Sequence, residues 1–207
     1  MAIYIPQAIE GKLLTLFQRK IVLLPFKNSC SVIQVLDKTF EIFISAEEIQ
    51  REVKSLAAKI NQDFKDEDVV FIAVLNGSFM FAADLMKSVN LSSEISFVKM
   101  SSYYGTESSG RVDELIGLSN DVKGKTVVIV EDIVDSGITM DKMISLLEME
   151  SPKDLKICTL LYKPDAFKGR KEPDYVGFSI PNAFVVGYGL DYDEKGRNLD
   201  AIYQIKE

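Results

Sequence analysis

The chain has 207 residues, of which 47% are hydrophobic and 27% are charged, and its formal net charge is -7. This composition is typical of a soluble globular protein with one substantial core, and it excludes a disordered or membrane-spanning chain. The acidic balance argues against a nucleic-acid partner, and the absence of histidine leaves carboxylates and lysines as the candidate acids and bases.

The first 37 residues contain the apolar runs LLTLF and IVLLPF but do not have the pattern of a secretory signal. Basic residues interrupt these runs at Lys12, Arg19 and Lys20. We expect residues 1–37 to form a peripheral, poorly ordered extension, with an added packed element or a start codon assigned too early as alternatives. Residues 38–207 are expected to form one domain. Cys30 and Cys158 lack CxxC spacing, which favours reduced thiols in a cytoplasmic protein.

The clear patterning begins at Phe40, where EIFIS predicts a short strand. Ser45 and Glu48 have the spacing of a capping box, which predicts that a helix begins at Ala46 and runs to Gln62. The apolar residues of that helix recur at 3.6-residue spacing, so one of its faces is expected to cover a sheet. These residues are Ile49, Val53, Leu56, Ala57 and Ile60.

A second strand-to-helix unit follows, in which the apolar run Val69–Leu75 predicts a buried parallel strand. The residues Asn76, Gly77 and Ser78 lead directly from it into the helical run FMFAADLMKS. A glycine-containing turn before a helix is a candidate anion site, although a simple tight turn is an equal alternative.

Ile95 to Lys99 predicts a third strand, and the polar run SSYYGTESSGRVDELIG follows it. A stretch of this length without clear periodicity is typical of a mobile functional loop or a disordered insert. We favour a lid over an exposed hairpin.

The most informative stretch is VVIVEDIVDSGIT, from Val127 to Thr139. The run Val127–Val130 predicts a central strand that ends at Glu131 and Asp132, and the loop Asp135–Thr139 leads into a helix predicted from Asp141 to Glu150. Free N–H groups at the helix start favour a phosphate, whereas the acids favour ribose hydroxyls, a divalent cation or a proton. The stretch therefore predicts a site for a phosphorylated sugar.

The remaining run adds a buried strand, Ile157–Tyr162, with Lys163 at the carboxyl end that it shares with Asp135. Further on, AFVVGYGLDY is strand-like and is followed by acids and Arg197. From the residues alone, Lys163 and Arg197 are ordinary surface charges and AFVV is an edge strand.

The stretch Glu131–Thr139 matches, position by position, the phosphoribosyl-pyrophosphate (PRPP) signature of type I phosphoribosyltransferases: two acids, two apolar residues, Asp, Ser or Thr, Gly, any residue and Thr. The resemblance covers roughly residues 38–207 and is strongest to the hypoxanthine and hypoxanthine-guanine members of the family. It implies an α/β fold with a mainly parallel twisted sheet flanked by helices, plus a small hood subdomain built from the C-terminal region.

The resemblance also implies roles for the signature residues. Asp135 is the catalytic base, while Glu131 and Asp132 bind the ribose hydroxyls, directly or through a metal. The PRPP 5′-phosphate lies on the loop formed by Asp135, Ser136, Gly137, Ile138 and Thr139. Ile138 stands where some relatives carry Lys or Arg, so backbone donors must suffice there.

Outside the signature, the resemblance assigns pyrophosphate binding to Asn76, Gly77 and Arg197, although a basic residue is often found in place of Asn76. Purine binding is assigned to Lys163, Phe184, Val185 and Asp191. Asp191, together with Glu131 and Asp132, is implied to hold Mg²⁺. Ser102 and Tyr103 are implied to open the lid.

The implied activity is the transfer of the phosphoribosyl group from PRPP to a 6-oxopurine base, hypoxanthine and guanine being expected, in a homodimer or homotetramer. The alternatives are an enzyme for xanthine, adenine or orotate, and a non-catalytic regulator that senses nucleotides. The rank order among 6-oxopurines and the number of subunits are not encoded in a readable pattern.

Overall fold

A computed structural model describes residues 31–100, 114–116 and 121–206. Its larger sheet has the strand order β5-β4-β3-β6-β7-β8, and every pairing in it is parallel except that of β4 with β5. The strands are β3 (Val69–Leu75), β4 (Ser93–Met100), β5 (Glu114–Ile116), β6 (Thr126–Val134), β7 (Asp154–Tyr162) and β8 (Tyr175–Ser179). The prediction of a mainly parallel sheet is confirmed.

Within the described residues, three helices cover this sheet on its two faces. They are α1 (Ala46–Asp63), α2 (Phe79–Met86) and α3 (Ile138–Met149). Because side chains alternate along a strand, β3 sends Val69, Phe71 and Ala73 into the core beneath α1 and α2. The alternate residues Val70, Ile72 and Val74 enter the core beneath α3. A strand buried on both faces explains why β3 has no polar alternation.

The helix α1 agrees with its sequence pattern. Ser45 accepts a hydrogen bond from the backbone N–H of Glu48, and the Glu48 carboxylate accepts one from the N–H of Ser45, which completes the capping box. The buried residues of α1 are the predicted ones: Ile49, Val53, Leu56, Ala57 and Ile60.

The smaller sheet is antiparallel and has the strand order β1-β2-β10-β9. Its strands are β1 (Val32–Val35), β2 (Lys38–Ile44), β9 (Val185–Val186) and β10 (Ile202–Ile205). This sheet fits the expected hood, but it combines strands from both ends of the described chain rather than from the C-terminal region alone. β1 lies within the residues expected to form an extension, and residues 1–30 lie outside the described part.

Several predicted boundaries were wrong, and three of them lie in segments assigned to the site. Strand β6 continues through Glu131 and Asp132 to Val134, because these residues keep parallel pairing with β7 up to the Val134–Tyr162 pair. Helix α3 begins at Ile138 rather than Asp141, directly after Gly137 in a left-handed conformation (φ 83°). The predicted strand AFVVGYGLDY is reduced to β9, since Gly187 and Gly189 take φ values of 100° and 104°.

Two smaller predictions concern cysteine and the membrane. Cys158 is a free, fully buried thiol whose pKa is raised by burial, as expected for an inert reduced cysteine, while Cys30 lies outside the described residues. Within the described ranges, none of the helices is long and apolar enough to cross a membrane.

Candidate active site

The carboxyl ends of β3, β6 and β7 meet at one edge of the large sheet, because the three strands run parallel in register. That edge carries the Asn76–Ser78 turn after β3, the Asp135–Thr139 loop after β6 and Lys163 after β7. Parallel α/β sheets bind ligands at this edge. The structure therefore brings together three segments that the sequence separates by up to 87 positions, from Asn76 to Lys163.

The turn after β3 packs closely against Asp132 of β6, because Gly77 has no side chain. A Cβ atom at Gly77 would lie 1.6 Å from Oδ2 of Asp132, so only glycine fits between the turn and that carboxylate. Asp132 itself is buried, with 8% of its surface exposed. The sequence predicted a role for Gly77 but not this packing.

Glu131 and Asp132 are neighbouring acids at the end of β6, of which Asp132 is buried and Glu131 is partly buried. The Oε2 atom of Glu131 is buried and has no hydrogen-bond partner within the described part of the chain. Burial, followed by the negative charge of Asp132, raises the pKa of Glu131 well above its usual value. Burial also raises the pKa of Asp132, although hydrogen bonds and the positive charge of Arg197 oppose that shift. The Oε2 atom of Glu131 therefore lacks a donor within the described residues.

The loop after β6 forms an open pocket with a volume of about 250 Å³. It is lined by Glu131–Gly137, Thr139 and Met140. Helix α3 starts at its rim, so backbone N–H groups and the positive end of the helix dipole face the pocket. Ile138 is 61% exposed and supplies no charge there. An anion such as a phosphate group suits this pocket.

The segment Phe167–Gly169, for which the sequence predicted no role, packs against this loop. A Cβ atom at Gly137 would lie 2.6 Å from the Phe167 ring and 2.9 Å from the Cα atom of Gly169. The backbone N–H of Lys168 donates a 3.0 Å hydrogen bond to the carbonyl of Ser136. Gly169 is the one sequence signal for this contact, because a glycine permits close approach of two backbones.

Lys163 is buried against the site and is not the solvated turn residue that its position alone suggests. Its Nζ atom lies 2.7 Å from Oδ2 of Asp135, and it also donates a longer hydrogen bond of 3.5 Å to Oδ1 of Asn182. The side chain of Asp135 is 47% exposed. Asp135, the predicted general base, and Lys163, the predicted purine-binding residue, are therefore in direct contact. Asn182 is a further polar residue that sequence reasoning did not find.

The hood contributes an exposed aromatic side chain, Phe184. Phe184 is 46% exposed, and its ring packs edge-on against Tyr192 (5.8 Å between centroids) and at a tilt of 43° against the buried Phe40 (6.3 Å). Val185, in contrast, is buried in β9 and is paired with β10. An exposed aromatic face held by two other rings is suited to stacking on a planar ligand.

Asp191 and Arg197 lie in the hood loops and bind each other. The Nη2 atom of Arg197 is 2.8 Å from Oδ1 of Asp191 and 3.2 Å from Oε2 of Glu194, while Nη1 donates to the carbonyl of Gly189 at 3.0 Å. Across residues 31–100 and 121–206, the structure shows no cluster of three or more Asp, Glu or Cys side chains able to hold a metal. The predicted metal ligands therefore do not form a cage of protein side chains: Glu131 and Asp132 are in β6, and Asp191 is paired with Arg197. Ser102 and Tyr103 lie outside the described residues.

Comparison with known proteins gives consistent results. The family described as "Phosphoribosyl transferase domain" matches residues 45–193. The chain is 43% identical to a Bacillus subtilis hypoxanthine-guanine phosphoribosyltransferase, over 80% of this chain and 93% of the relative. It is also 43% identical to an Escherichia coli hypoxanthine phosphoribosyltransferase, over 81% and 96% of the two chains.

Solved structures give the same result. A hypoxanthine-guanine phosphoribosyltransferase from Bacillus anthracis superposes with a TM-score of 0.75 at 45% identity, covering 81% of this chain and 97% of that one. A hypoxanthine phosphoribosyltransferase from Staphylococcus aureus also gives a TM-score of 0.75, at 41% identity, covering 80% and 91%.

The packing of Gly77 against Asp132 generates a first prediction. Gly77→Ala should lower the free energy of unfolding by about 1–3 kcal/mol, because the new methyl group overlaps the Asp132 carboxylate. In an Asp132→Ala background the same change should cost much less, since the overlapping oxygen is gone. Urea unfolding of the four proteins measures the coupling, and equal costs in both backgrounds would contradict the contact.

A second prediction follows from the raised pKa of Glu131. Glu131→Gln should raise the free energy of unfolding at pH 7–8 by on the order of 1–3 kcal/mol, because the neutral amide removes an unpartnered buried charge and can donate to Asp132. A raised carboxyl pKa means that wild-type stability is lost as pH rises above the unfolded pKa of about 4.3 towards the higher folded value. The gain should therefore disappear near pH 4.

Thermal unfolding between pH 4 and pH 8 checks this sign. Glu150→Gln removes the same charge from an exposed position at the end of α3 and should leave the midpoint nearly unchanged throughout. A Glu131→Gln gain that is constant with pH would show that ionisation of Glu131 is not its cause.

Proposed function

Because the chain belongs to the phosphoribosyltransferase family, we propose that it is a purine-salvage enzyme that transfers the 5-phosphoribosyl group of PRPP to nitrogen N9 of hypoxanthine or guanine. The products are the nucleoside monophosphate and pyrophosphate. The observation that carries this choice of base is the buried ammonium of Lys163, 2.7 Å from Asp135 beside the phosphate pocket.

The phosphoribosyl end of the substrate uses fixed backbone groups. The 5′-phosphate would lie at the start of α3 and accept hydrogen bonds from the N–H groups of Gly137 and Thr139 and from the hydroxyls of Ser136 and Thr139. The ribose hydroxyls would donate to the carboxylates of Glu131 and Asp132. Supply of donors to the unpartnered Glu131 oxygen favours this orientation.

The base end depends on Lys163, Phe184 and Val185. An ammonium is a donor only, so Lys163 would bind the 6-oxo group of hypoxanthine or guanine and disfavour the 6-amino group of adenine. The exposed face of Phe184 would stack on the purine ring, and main-chain groups of Val185 would contact its edge.

The chemistry uses Asp135 and Arg197. As N9 of the base attacks the ribose carbon, nitrogen N7 becomes more acidic, and the Asp135 carboxylate is positioned to take or share its proton. Negative charge develops on the departing pyrophosphate. Arg197 would stabilise that charge with its guanidinium, assisted by the turn of Asn76 and Gly77.

The side chains present fit the magnesium ion that the family implies. Mg²⁺ prefers oxygen ligands and is usually held by one or two carboxylates together with substrate phosphates, so a cage of three protein carboxylates is not required. Glu131, Asp132 and Asp191 would hold it, and the unpartnered oxygen of Glu131 is a suitable ligand. When bound, the ion would neutralise charge on the leaving pyrophosphate.

The proposal includes a cytoplasmic homodimer or homotetramer, on the basis of the family resemblance. The burial of the free Cys158 thiol is compatible with a reducing compartment.

A third prediction concerns the choice of base. With PRPP and magnesium, the protein should form nucleotide and pyrophosphate from hypoxanthine and guanine with kcat/KM at least about 100-fold above that for adenine, xanthine being the third 6-oxopurine to compare. Orotate should give no product. Absence of nucleotide with every 6-oxopurine would overturn the proposed function and favour a nucleotide-sensing regulator.

Lys163→Gln makes this prediction specific. A glutamine amide can accept as well as donate, so the preference for hypoxanthine over adenine should fall by about tenfold or more. Lys168→Gln removes the same charge from an exposed neighbour whose backbone, not its side chain, contacts Ser136, and it should leave the preference unchanged. An unchanged preference in Lys163→Gln would exclude Lys163 as the base-selecting residue.

A fourth prediction tests Asp135 as the base. Asp135→Asn should lower kcat by about 100-fold or more while the KM for PRPP changes by less than about threefold, because asparagine can still accept a hydrogen bond from Lys163 but cannot take a proton. Asp165→Asn, an exposed acid in the segment after Lys163, serves as the charge-matched control. Equal losses in kcat and PRPP affinity would contradict the assigned role.

A further inference from the structure

Tyr188 is held in a conformation that a tyrosine rarely adopts. Its φ angle is 48°, it lies between Gly187 and Gly189, and only 2% of its surface is exposed. Its hydroxyl donates a 2.7 Å hydrogen bond to Oδ2 of Asp84, and burial followed by this contact raises the pKa of Tyr188. The positive φ therefore directs the side chain inward to a charged acceptor.

Asp84 collects donors from three parts of the fold. Gln50 of α1 donates to Oδ2 at 2.6 Å, Lys87 at the end of α2 lies 2.7 Å from Oδ1, and Tyr188 comes from the hood. Although burial raises the pKa of Asp84, hydrogen bonds from Lys87, Tyr188 and Gln50 hold it below its usual value. The carboxylate therefore stays ionised and is a strong acceptor.

Both residues of this hydrogen bond belong to segments that continue into the site. Asp84 is on α2, whose start follows the Asn76–Ser78 turn, and Tyr188 directly precedes Gly189. A Cβ atom at Gly189 would lie 1.9 Å from the carbonyl oxygen of Gly77, so the two backbones are in close contact. The carbonyl of Gly189 in turn accepts a hydrogen bond from Arg197.

We propose that the Tyr188–Asp84 hydrogen bond is a latch that fixes the hood loop carrying Arg197 against the pyrophosphate turn at Gly77. Tyr188 is a positioning residue in this proposal, because it acts through Gly189 and Arg197 and does not touch substrate itself. The latch rests on the proposed function. It should matter for the pyrophosphate side of PRPP and not for the base, since Lys163 is held separately by Asp135 and Asn182.

The chain offers a closely matched control. Tyr175 is also buried, at 8% exposure, and its hydroxyl donates to Oδ2 of Asp63 at 2.8 Å. That contact joins the amino end of β8 to the end of α1, at the opposite edge of the sheet from the site. A tyrosine with a purely structural role should therefore behave like Tyr175.

The test compares Tyr188→Phe with Tyr175→Phe in steady-state assays with PRPP, magnesium and hypoxanthine. Both variants keep the ring and lose one hydrogen bond to an acid, so both should unfold at a lower temperature. Only Tyr188→Phe should raise the KM for PRPP and the dissociation constant of magnesium pyrophosphate, each by about tenfold, with the KM for hypoxanthine changed less than about twofold.

A second variant covers the case in which Tyr188→Phe does not fold. Asp84→Asn keeps the size of the acceptor and removes its charge, and it should raise the same two constants. In the double variant the increase should be no larger than in the more severe single variant, because both changes break one interaction. Additive effects, or a Tyr188→Phe variant indistinguishable from Tyr175→Phe, would overturn the latch.

Failure of the latch and failure of the proposed function are distinguishable. A wild-type protein that forms no nucleotide overturns the function, whereas an active wild type with unchanged PRPP and pyrophosphate constants in Tyr188→Phe overturns the latch alone. A wild-type protein that does not bind magnesium pyrophosphate overturns both.

Discussion

Gly77 lies between the carboxylate of Asp132 and the backbone of Gly189, and a side chain at either glycine would overlap its neighbour. Three segments that are distant in sequence meet at this point: the turn after β3, the acids of β6 and the loops of the hood. Their alignment depends on close backbone packing and on the hydrogen bonds around it. The positions of Asn76, Arg197 and Asp132 relative to one another follow from that packing.

The same packing disfavours the charged forms of the two acids of β6. Asp132 is covered by Gly77, and Glu131 keeps a buried oxygen without a partner in the described residues, so both carboxyl pKa values are raised. A chain selected for stability alone would place an apolar or amide side chain at position 131. Retention of two adjacent acids is understandable if a substrate or cation supplies the missing donors and charge when it binds.

Local patterns predicted local structure well. The capping box and 3.6-residue spacing of α1 were confirmed to the residue, because both signals depend on neighbours within the same helix. The contiguous run Glu131–Thr139 predicted a strand, a loop and a helix start, and the structure forms these elements around an open pocket. Strand β6 was predicted too short, since pairing with β7, some 28 positions away, keeps Ile133 and Val134 extended. The hood was assigned to one end of the chain because the β2–β10 pairing joins Ile44 to Ile202 and has no local signature. The positive φ of Tyr188 could not be predicted, because tyrosine rarely adopts that conformation.

The two cations of the site, Lys163 and Arg197, are each held by acidic side chains. Lys163 is paired with Asp135, and Arg197 with Asp191 and Glu194, so carboxylates orient both positive groups. Holding long side chains in place beforehand reduces the entropy lost on binding. In the proposed reaction, pyrophosphate oxygens replace the carboxylates around Arg197, and the 6-oxo group of the base joins Asp135 at Lys163. Substrate binding is then an exchange of partners, in which a site rich in acids gains affinity for an anion because its few cations are fixed and directed towards the ligand.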